Sequence, residues 1–352
     1  MKLKIGLLPG DGIGPEVIDQ AVKVSNAIAK KFNHSIIWKS GIDGANAIEK
    51  VGNPYPKETH EICLNSDAIL FGAIGDPKFD NNPKAIIRPE QGLLEMRRKL
   101  GLYANIRPTF TFKSQLDNSP LKKDRIEGTN LIFVRELTSG IYFGKSGRKD
   151  NGNTAYDTCT YKREEIIRIA SVAFRLAMKR KKKLCCVDKA NVLESSRLWR
   201  ETIQLMGKEF PEVSVSYEFV DAVAMRLVQW PKSYDVLVTE NLFGDILTDE
   251  ASVISGSMGL MPSASIGKKT SLFEPIHGSY PEAAGKNIAN PLAAILSAAM
   301  MFEESFKLEE EANLIKKLVD KSIENGIVSK DISNGNKYFS TNEIGDWIVN
   351  EI

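Results

Sequence analysis

Apolar residues fall into a helical rhythm soon after the chain begins. In LKIGLLPGDGIGPEVIDQAVKVSNAIAKKF an apolar run leads into a glycine-rich turn, and Val17, Ala21, Val24 and Ile28 then recur at intervals of three and four. With Pro15 suited to a first helical turn, the segment predicts strand, turn and helix. SDAILFGAIG predicts a second buried strand, Pro89 to Leu100 a helix, GLYANIRPTF an extended run, and TNLIFVRELTSGIYFG a further strand. Beyond lie a helix over 163–180, the strand KLCCVDKAN, the helix LWRETIQLMGKEF, and a strand pair around SVSYEFV and DVLVTE. The C-terminal third predicts helices, and STNEIGDWIV opens on a capping box of Ser340 and Glu343. Strands alternating with helices predict an α/β fold.

One stretch breaks that rhythm. Residues 143–161, FGKSGRKDNGNTAYDTCTY, mix turn residues with alternating Thr, Tyr and Cys, and predict a protruding β arm. An arm unable to bury itself implies a partner chain. The 352 residues are 42% hydrophobic, enough for two lobes, and no repeat or low-complexity linker divides them into sequential beads. A net charge of +2 with interspersed acids and bases gives no basic face for nucleic acid or anionic membrane. The one basic run, Lys179 to Lys183, ends an apolar-periodic helix, where cations suit the negative end of the dipole. Four cysteines, Cys63, Cys159, Cys185 and Cys186, show no C-x-x-C spacing. A reducing compartment fits them. No segment resembles a signal peptide or reaches bilayer-spanning length, so a cytoplasmic, soluble protein is expected.

Chemistry gathers in a few segments. NLFGDILTDEAS sets Asp245 and Asp249 one helical turn apart, and like charges at that spacing need something positive nearby. With Asp221 of FVDAVAMRLV and Lys189 of VDKANVLESSRLW, three carboxylates and a lysine describe a hard-cation site with a base beside it. The alternative is a pair of solvated helix aspartates. Arg97, Arg107 and Arg135, the last seven residues before Tyr142, could converge on a dicarboxylate, or each could form a surface ion pair. Glu90, Leu93 and Arg97 share one helical stripe, and Leu93 would suit a substrate with an apolar branch unless Leu93, Leu94 and Leu100 are simply core. Gly10, Gly12 and Gly14 follow G-x-G-x-G and not G-x-G-x-x-G, and no convincing βαβ unit with a ribose-binding acid follows, which argues for a positive-φ turn over a Rossmann site. In LFEPIHGSYPEAAGKNIANPLAAILS, loop amides suit phosphate, Glu282 suits ribose hydroxyls, and His277 suits packing against an adenine ring.

Together GLLPGDGIGPEV, GAIGDPKFD, GLLEMRRKLGLYANIRP, VRELTSGIYFG, VDKANVLESSRLWR, NLFGDILTDEAS, GLMPSAS and EPIHGSYPEAAGKNIANP resemble the β-decarboxylating dehydrogenase family, in the family's order over residues 3–300. The resemblance implies two α/β domains sharing a large central mixed sheet, without Rossmann topology. The first, 1–100 plus 256–352, would bind cofactor. The second, 101–255, would carry dimerisation, metal and substrate. It also implies a homodimer, with Lys189 and Asp221 reaching the partner's site. Catalysis would fall on Tyr142 and Lys189, and substrate binding on Arg97, Arg107, Arg135, Asp221, Leu93 and Leu94. Mg²⁺ or Mn²⁺ would be held by Asp221, Asp245 and Asp249. NAD would meet Asp76, Lys78, Glu90, His277, Gly278, Ser279, Glu282, Ala284 and Asn290. The implied reaction is oxidative decarboxylation of (2R,3S)-3-isopropylmalate to 4-methyl-2-oxopentanoate in leucine biosynthesis. Leu93 and Leu94 stand where isocitrate relatives place polar residues, and a related alkylmalate, homoisocitrate or tartrate/malate-type substrate is the alternative. The chain departs from the family's pattern at Asp76, often glycine, at Glu282, commonly Asp, and at Tyr280, commonly small.

Overall fold

The computed structural model describes the chain apart from residues 83–85, 334 and 336. Two compact units emerge: Met1–Leu102 with Ser114–Asn118 and Ser255–Ile352, and Tyr103–Lys113 with Ser119–Ile254. The expected exchange points, Gly101 and Gly256, are helix-ending glycines at φ +64° and +87°. Chain membership changes one or two residues away, and the short return of 114–118 to the first unit had no signal in the sequence.

Twelve strands among the described residues, numbered along the chain, are β1 (Lys2–Gly10), β2 (Ser35–Ser40), β3 (Ala68–Ala73), β4 (Ala104–Phe110), β5 (Asn130–Glu136), β6 (Ser146–Lys149), β7 (Thr154–Asp157), β8 (Lys183–Asp188), β9 (Ser214–Phe219), β10 (Val236–Thr239), β11 (Pro262–Ile266) and β12 (Ser271–Pro275). All but β6 and β7 belong to one ten-stranded mixed sheet, five strands falling in each unit.

In the first unit the order is β2-β1-β3-β12-β11, with β1, β2, β3 and β12 parallel and β11 antiparallel to β12. The helix Gly14–Lys31 buries Val17, Ala21, Val24 and Ile28 completely, as their spacing predicts. Each such side chain contributes about 1.5–3 kcal/mol by leaving water. β3 is buried along its whole length, the usual state of an interior parallel strand. A βαβ unit does follow the glycine turn, contrary to expectation: β1, the helix and the parallel edge strand β2. The half-exposed SIIWKS of β2 carries too little apolar periodicity to announce it.

The turn itself serves packing. Gly10 and Gly12 sit at φ +74° and +58°, and a Cβ on Gly12 would lie 2.0 Å from the Ser279 carbonyl oxygen. Asp11 N donates to Ala73 O at 2.8 Å and Ile13 N to Ser279 O at 2.8 Å, so the turn is tied to its own unit's backbone. The Asp11 carboxylate accepts from the amides of Ala45 (2.9 Å), Asn46 (3.2 Å) and Gly75 (3.0 Å). Late in the chain, Ser340 and Glu343 form the expected capping box.

The second unit runs β4-β5-β10-β8-β9, antiparallel between β4 and β5 and parallel beyond. β9 and β10 are therefore not a pair: β8 lies between them. β5 stops at Glu136 instead of running on to Tyr142. The buried Glu136 carboxylate takes the amides of Thr138 and Ser139 (2.9 and 2.8 Å) and the Thr138 hydroxyl, which turns the chain there. β6 and β7 form an exposed antiparallel hairpin within the region expected to be an arm. The basic run closes the helix Arg163–Lys179: Lys182 adopts φ +57° and its amide reaches Ala177 O at 3.0 Å. It is a helix terminus and not a binding patch.

Candidate active site

Asp245 and Asp249 project from the helix Asn241–Ser255, which follows β10. The positive charge their spacing calls for is present. Arg135, 2% exposed, donates from Nε to Asn241 O (2.9 Å), from Nη2 to Asn241 Oδ1 (2.9 Å), and from Nη1 to Asp245 Oδ1 (2.5 Å). Gly244 makes this possible, since a Cβ there would stand 2.6 Å from Arg135 Cγ. Arg107 is held by Asn105 Oδ1 and Thr248 Oγ1, each at 2.7 Å, and its Nη1 lies 3.5 Å from Asp249 Oδ1. Desolvation raises the Asp249 carboxyl, Arg107 pulls it down, and Asp245 beside it adds to the rise. Tyr142 reaches in from the turn after β5, and its hydroxyl donates to Asp245 Oδ2 at 2.7 Å. Two arginines, two aspartates and the tyrosine thus form one polar cluster.

Lys189 and Asp221 form a separate pair. Lys189 follows the last residue of β8, and its Nζ donates to Asp221 Oδ1 at 2.7 Å, in the first turn of the helix Val220–Gln229. That bond holds the exposed Asp221 carboxyl below its ordinary range. The strand end itself is fixed by Asp188, buried and bidentate to Arg200 at 2.8 and 2.9 Å. Among the described residues of this one chain, no three acidic, histidine or cysteine side chains gather closely enough to hold a metal. The three expected metal aspartates are therefore divided, Asp245 with Asp249 and Asp221 with Lys189. Within the Asp245–Asp249 pair, the carboxylate oxygens are hard donors that fit Mg²⁺ or Mn²⁺.

In the first unit, Arg97 is buried on the helix Pro89–Leu100, its Nη2 3.4 Å from Glu274 Oε1 and its Nε without a hydrogen-bond partner among the described residues. Leu93 is half-buried against the apolar cluster of Leu8, Phe71, Met96 and Leu272, and Leu94 is half-buried too. The Glu90 carboxylate lies close to Gly75, where a Cβ would come within 3.1 Å of its Oε1. Asp76 caps the turn Pro77–Asp80 by accepting from Lys78 N at 3.0 Å, and Lys78 pairs with Glu49.

The same unit holds a cavity of about 990 Å³, the size of a small-molecule or cofactor site. His277, Gly278 and Asn290, three of the residues the resemblance assigns to NAD, line it. Burial lowers the His277 imidazole's pKa, and its buried Nε2 has no hydrogen-bond partner among the described residues. A cavity of this size lined by an imidazole fits a heteroaromatic cofactor. Ser279 is buried against the glycine turn, whereas Glu282 and Ala284 are exposed and are not among the lining residues. Sequence reading missed Ile13, Lys286, Asp331, Tyr338 and Glu343, all of which line the cavity. Asp331 accepts from Ser257 Oγ (2.6 Å), Asn290 Nδ2 (3.2 Å) and Ser329 Oγ (2.5 Å), so it joins three separate stretches of the lining. No local motif signals it. The tie exists only once the chain's end has folded back.

Residues 4–348 match the family model described as isocitrate/isopropylmalate dehydrogenase. The 3-isopropylmalate dehydrogenase of Bacteroides fragilis (strain YCH46) is 56% identical over 100% of this chain and 99% of its own. That of Bacillus subtilis (strain 168) is 49% identical over 99% and 96%. Among solved structures, isocitrate dehydrogenase from Methylococcus capsulatus superposes with a TM-score of 0.89 at 34% identity, over 99% of this chain and 98% of that one. The apo β-decarboxylating dehydrogenase from Thermococcus kodakarensis gives 0.79 at 35%, over 99% and 96%. With the family model, the full-length relatives and the solved structures all in agreement, the chain belongs to the isocitrate/isopropylmalate dehydrogenase family.

Proposed function

We propose that the chain catalyses the NAD-dependent oxidative decarboxylation of 3-isopropylmalate to 4-methyl-2-oxopentanoate, the leucine-pathway reaction for which its full-length relatives are named. The observation that carries this is the cluster of Arg107, Arg135, Tyr142, Asp245 and Asp249, all five present and mutually bonded. A chain that had kept the fold and lost catalysis would be expected to lose one of its members or Lys189.

Arg97, Arg107 and Arg135 take the substrate's carboxylates, a task suited to guanidinium forks whose charge survives any cellular pH. Asp245 and Asp249 would hold Mg²⁺ or Mn²⁺, with Asp221 as third ligand. Bound there, the cation supplies Lewis acidity at the hydroxyl and adjacent carboxylate oxygens, and NAD supplies the hydride acceptor. Lys189, once its ammonium has given up a proton to solvent, would accept the hydroxyl proton. Tyr142, whose hydroxyl already donates into the cluster, returns a proton to carbon once CO₂ has left. Leu93 and Leu94 accommodate the isopropyl branch. His277, Gly278, Ser279 and Asn290, with Asp76, Lys78, Glu90, Glu282 and Ala284, serve the dinucleotide, and the exposed Glu282 carboxylate disfavours a 2′-phosphate.

We further propose a homodimer in which Lys189 and Asp221 complete the partner's cluster. Two features support it: the Lys189–Asp221 pair stands apart from Asp245 and Asp249, and exposed apolar side chains crowd the elements that carry these groups. Val192 follows Lys189, Met225 and Val228 share Asp221's helix, and Ile246 and Val253 share the aspartates' helix. Such exposure suits an interface. The four free cysteines agree with a cytoplasmic setting, and no described helix is long and apolar enough to cross a membrane.

Steady-state assays with isopropylmalate, isocitrate and malate, each with NAD and NADP, test the reading, alongside solution mass by light scattering. Isopropylmalate with NAD should be fastest, NAD should be preferred by at least about tenfold, or roughly 1.4 kcal/mol, and the mass should be twice the chain's. Faster turnover of isocitrate with NADP would overturn the substrate and cofactor assignments. A monomer at assay concentration would overturn the shared site.

A further inference from the structure

Seven non-glycine residues among those described have positive φ: Asn33, Asp150, Asn151, Lys182, Tyr280, Asn287 and Lys307. Four are Asn or Asp, which tolerate the left-handed region, and Lys182 and Lys307 close helices. Tyr280, at φ +38° and ψ +64°, is the one aromatic residue. A bulky side chain there costs of order 1–3 kcal/mol and persists only where its surroundings over-determine it.

They do. On one side, Ser279 is clamped by the glycine turn: Ile13 N donates to Ser279 O at 2.8 Å, and a Cβ on Gly12 would stand 2.0 Å from that oxygen. On the other side Pro281 fixes its own φ and opens a tight turn in which Ala283 N donates to Tyr280 O at 3.0 Å. With both neighbours fixed, residue 280 has no other backbone conformation open to it. Glycine would occupy the position without strain. The chain instead places a tyrosine, more than half exposed (56%), on the wall of the 990 Å³ cavity that His277 also lines. The phenol gains nothing from core burial. An exposed aromatic face held on a rigid, pinned backbone suits stacking against a planar ring.

We propose that Tyr280 is an affinity-determining residue for the dinucleotide, its ring stacking on an aromatic ring of the bound cofactor at the expense of the free protein's stability. This rests on the cofactor reading above and adds a residue at which the chain departs from the family's small side chain.

Three variants separate the ring from the strain: Tyr280→Phe keeps both, Tyr280→Ala keeps the strain alone, and Tyr280→Gly removes both. NAD affinity is read by calorimetry, and the melting temperature is read on the ligand-free protein. Tyr280→Phe should bind within about twofold of the parent. The Ala and Gly variants should each bind about tenfold more weakly, within the range for base–aromatic stacking. Ligand-free Tyr280→Gly should melt roughly 1–2 °C above Tyr280→Ala, the shift that relief of backbone strain gives in a chain of this size. Parent-like affinity in both the Ala and Gly variants overturns the inference and leaves the cofactor reading standing. A glycine variant melting at or below the alanine variant overturns the trade against stability. A parent that binds NAD not at all overturns both the cofactor reading and this inference.

Discussion

The two units hold their functional groups in opposite ways. In the second, charged side chains hold one another. Arg135 fastens Asp245, Arg107 faces Asp249, Tyr142 bonds the Asp245 carboxylate, and a single helix presents both acids. In the first, backbone and packing build a cavity from chain stretches near residues 13, 257–259, 277–290 and 330–343, with a histidine on its wall. The contrast follows from what each is proposed to bind. A small, highly charged substrate and a divalent cation call for preorganised charge, and charge fixed in a partly desolvated cluster is worth several times its value in water. A large ligand with two aromatic rings calls for shaped, mostly apolar space with few oriented polar atoms. Single substitutions should therefore act steeply in the second unit and shallowly in the first.

The steepest test is Asp245→Asn. It removes one charge from the helix face while keeping a side chain of the same shape, so one of Arg135 and Tyr142 keeps an oxygen to donate to and the other meets the amide NH2 instead. Turnover should fall on the order of a thousandfold, because a ligand charge supplies several kcal/mol to the developing alkoxide and each 1.36 kcal/mol is tenfold in rate. Divalent cation should raise the parent's melting temperature, more so with substrate, and the variant should lose most of that shift. Full activity in EDTA-treated parent enzyme would refute the metal assignment outright. It would also erase the contrast, because the aspartates would then be no more than arginine partners.

That difference in construction also governs what could be read before folding. The helix Pro89–Leu100, the buried stripe of Val17, Ala21, Val24 and Ile28, and the Ser340–Glu343 cap are all local, set by residues within a few positions of one another. The charged cluster was legible for a related reason: its members lie in compact motifs, and opposite charges must find each other once buried. The end of β5 was not legible. Glu136 lies in an apolar run, and only its burial makes it fold the next three residues back onto its carboxylate. Nor was most of the cavity, since Asp331 and Tyr338 meet His277 through chain reversal over more than fifty residues, which no periodicity encodes. Glu282 stood out in the sequence as the acid of the loop, yet the acids on the cavity wall are Asp331 and Glu343.

Leu93 tests the shallow side. It lies half in an apolar cluster and half out, so core packing and substrate contact both claim it. Leu93→Ser should lower kcat/KM for isopropylmalate by about 10–200-fold, the range for small apolar differences in a pocket. Activity on more polar malates should fall less or rise, with a modest loss of melting temperature. Equal loss on every substrate together with a large drop in melting temperature would make Leu93 a core residue, leaving substrate choice to Leu94 or to neither.

The smallest effect is on stability, and it too divides the units. Asp43 precedes the helix Gly44–Val51 in the first unit and is buried, with no hydrogen-bond partner of good geometry among the described residues for either carboxylate oxygen. Burial, then Asp11 and more weakly Glu274, push its pKa up to about 8, while the nearby amide of Gly10 pulls the other way. In the second unit Glu240 is raised to about 7, by burial first and by Asp188, against a hydrogen bond from Ser196. Both carboxyls hold a proton in the folded state that they release in the unfolded one near pH 4. Folding therefore binds protons. Their contribution is complete below about pH 4 and is lost as pH rises, through about 7 for Glu240 and about 8 for Asp43. Asp43→Asn, which keeps the shape and removes the titration, should flatten the decline between about pH 7 and 8, where Glu240 no longer contributes, by about 1.4 kcal/mol per pH unit. The remaining slope, which levels off near pH 7, should belong to Glu240 and vanish in Asp43→Asn/Glu240→Gln. Urea midpoints at half-unit steps from pH 5 to 9 distinguish the cases. If parent and Asp43→Asn lose stability in parallel up to pH 9, then Asp43 is ionised or hydrated in the folded protein, and the first unit holds no buried proton at this site.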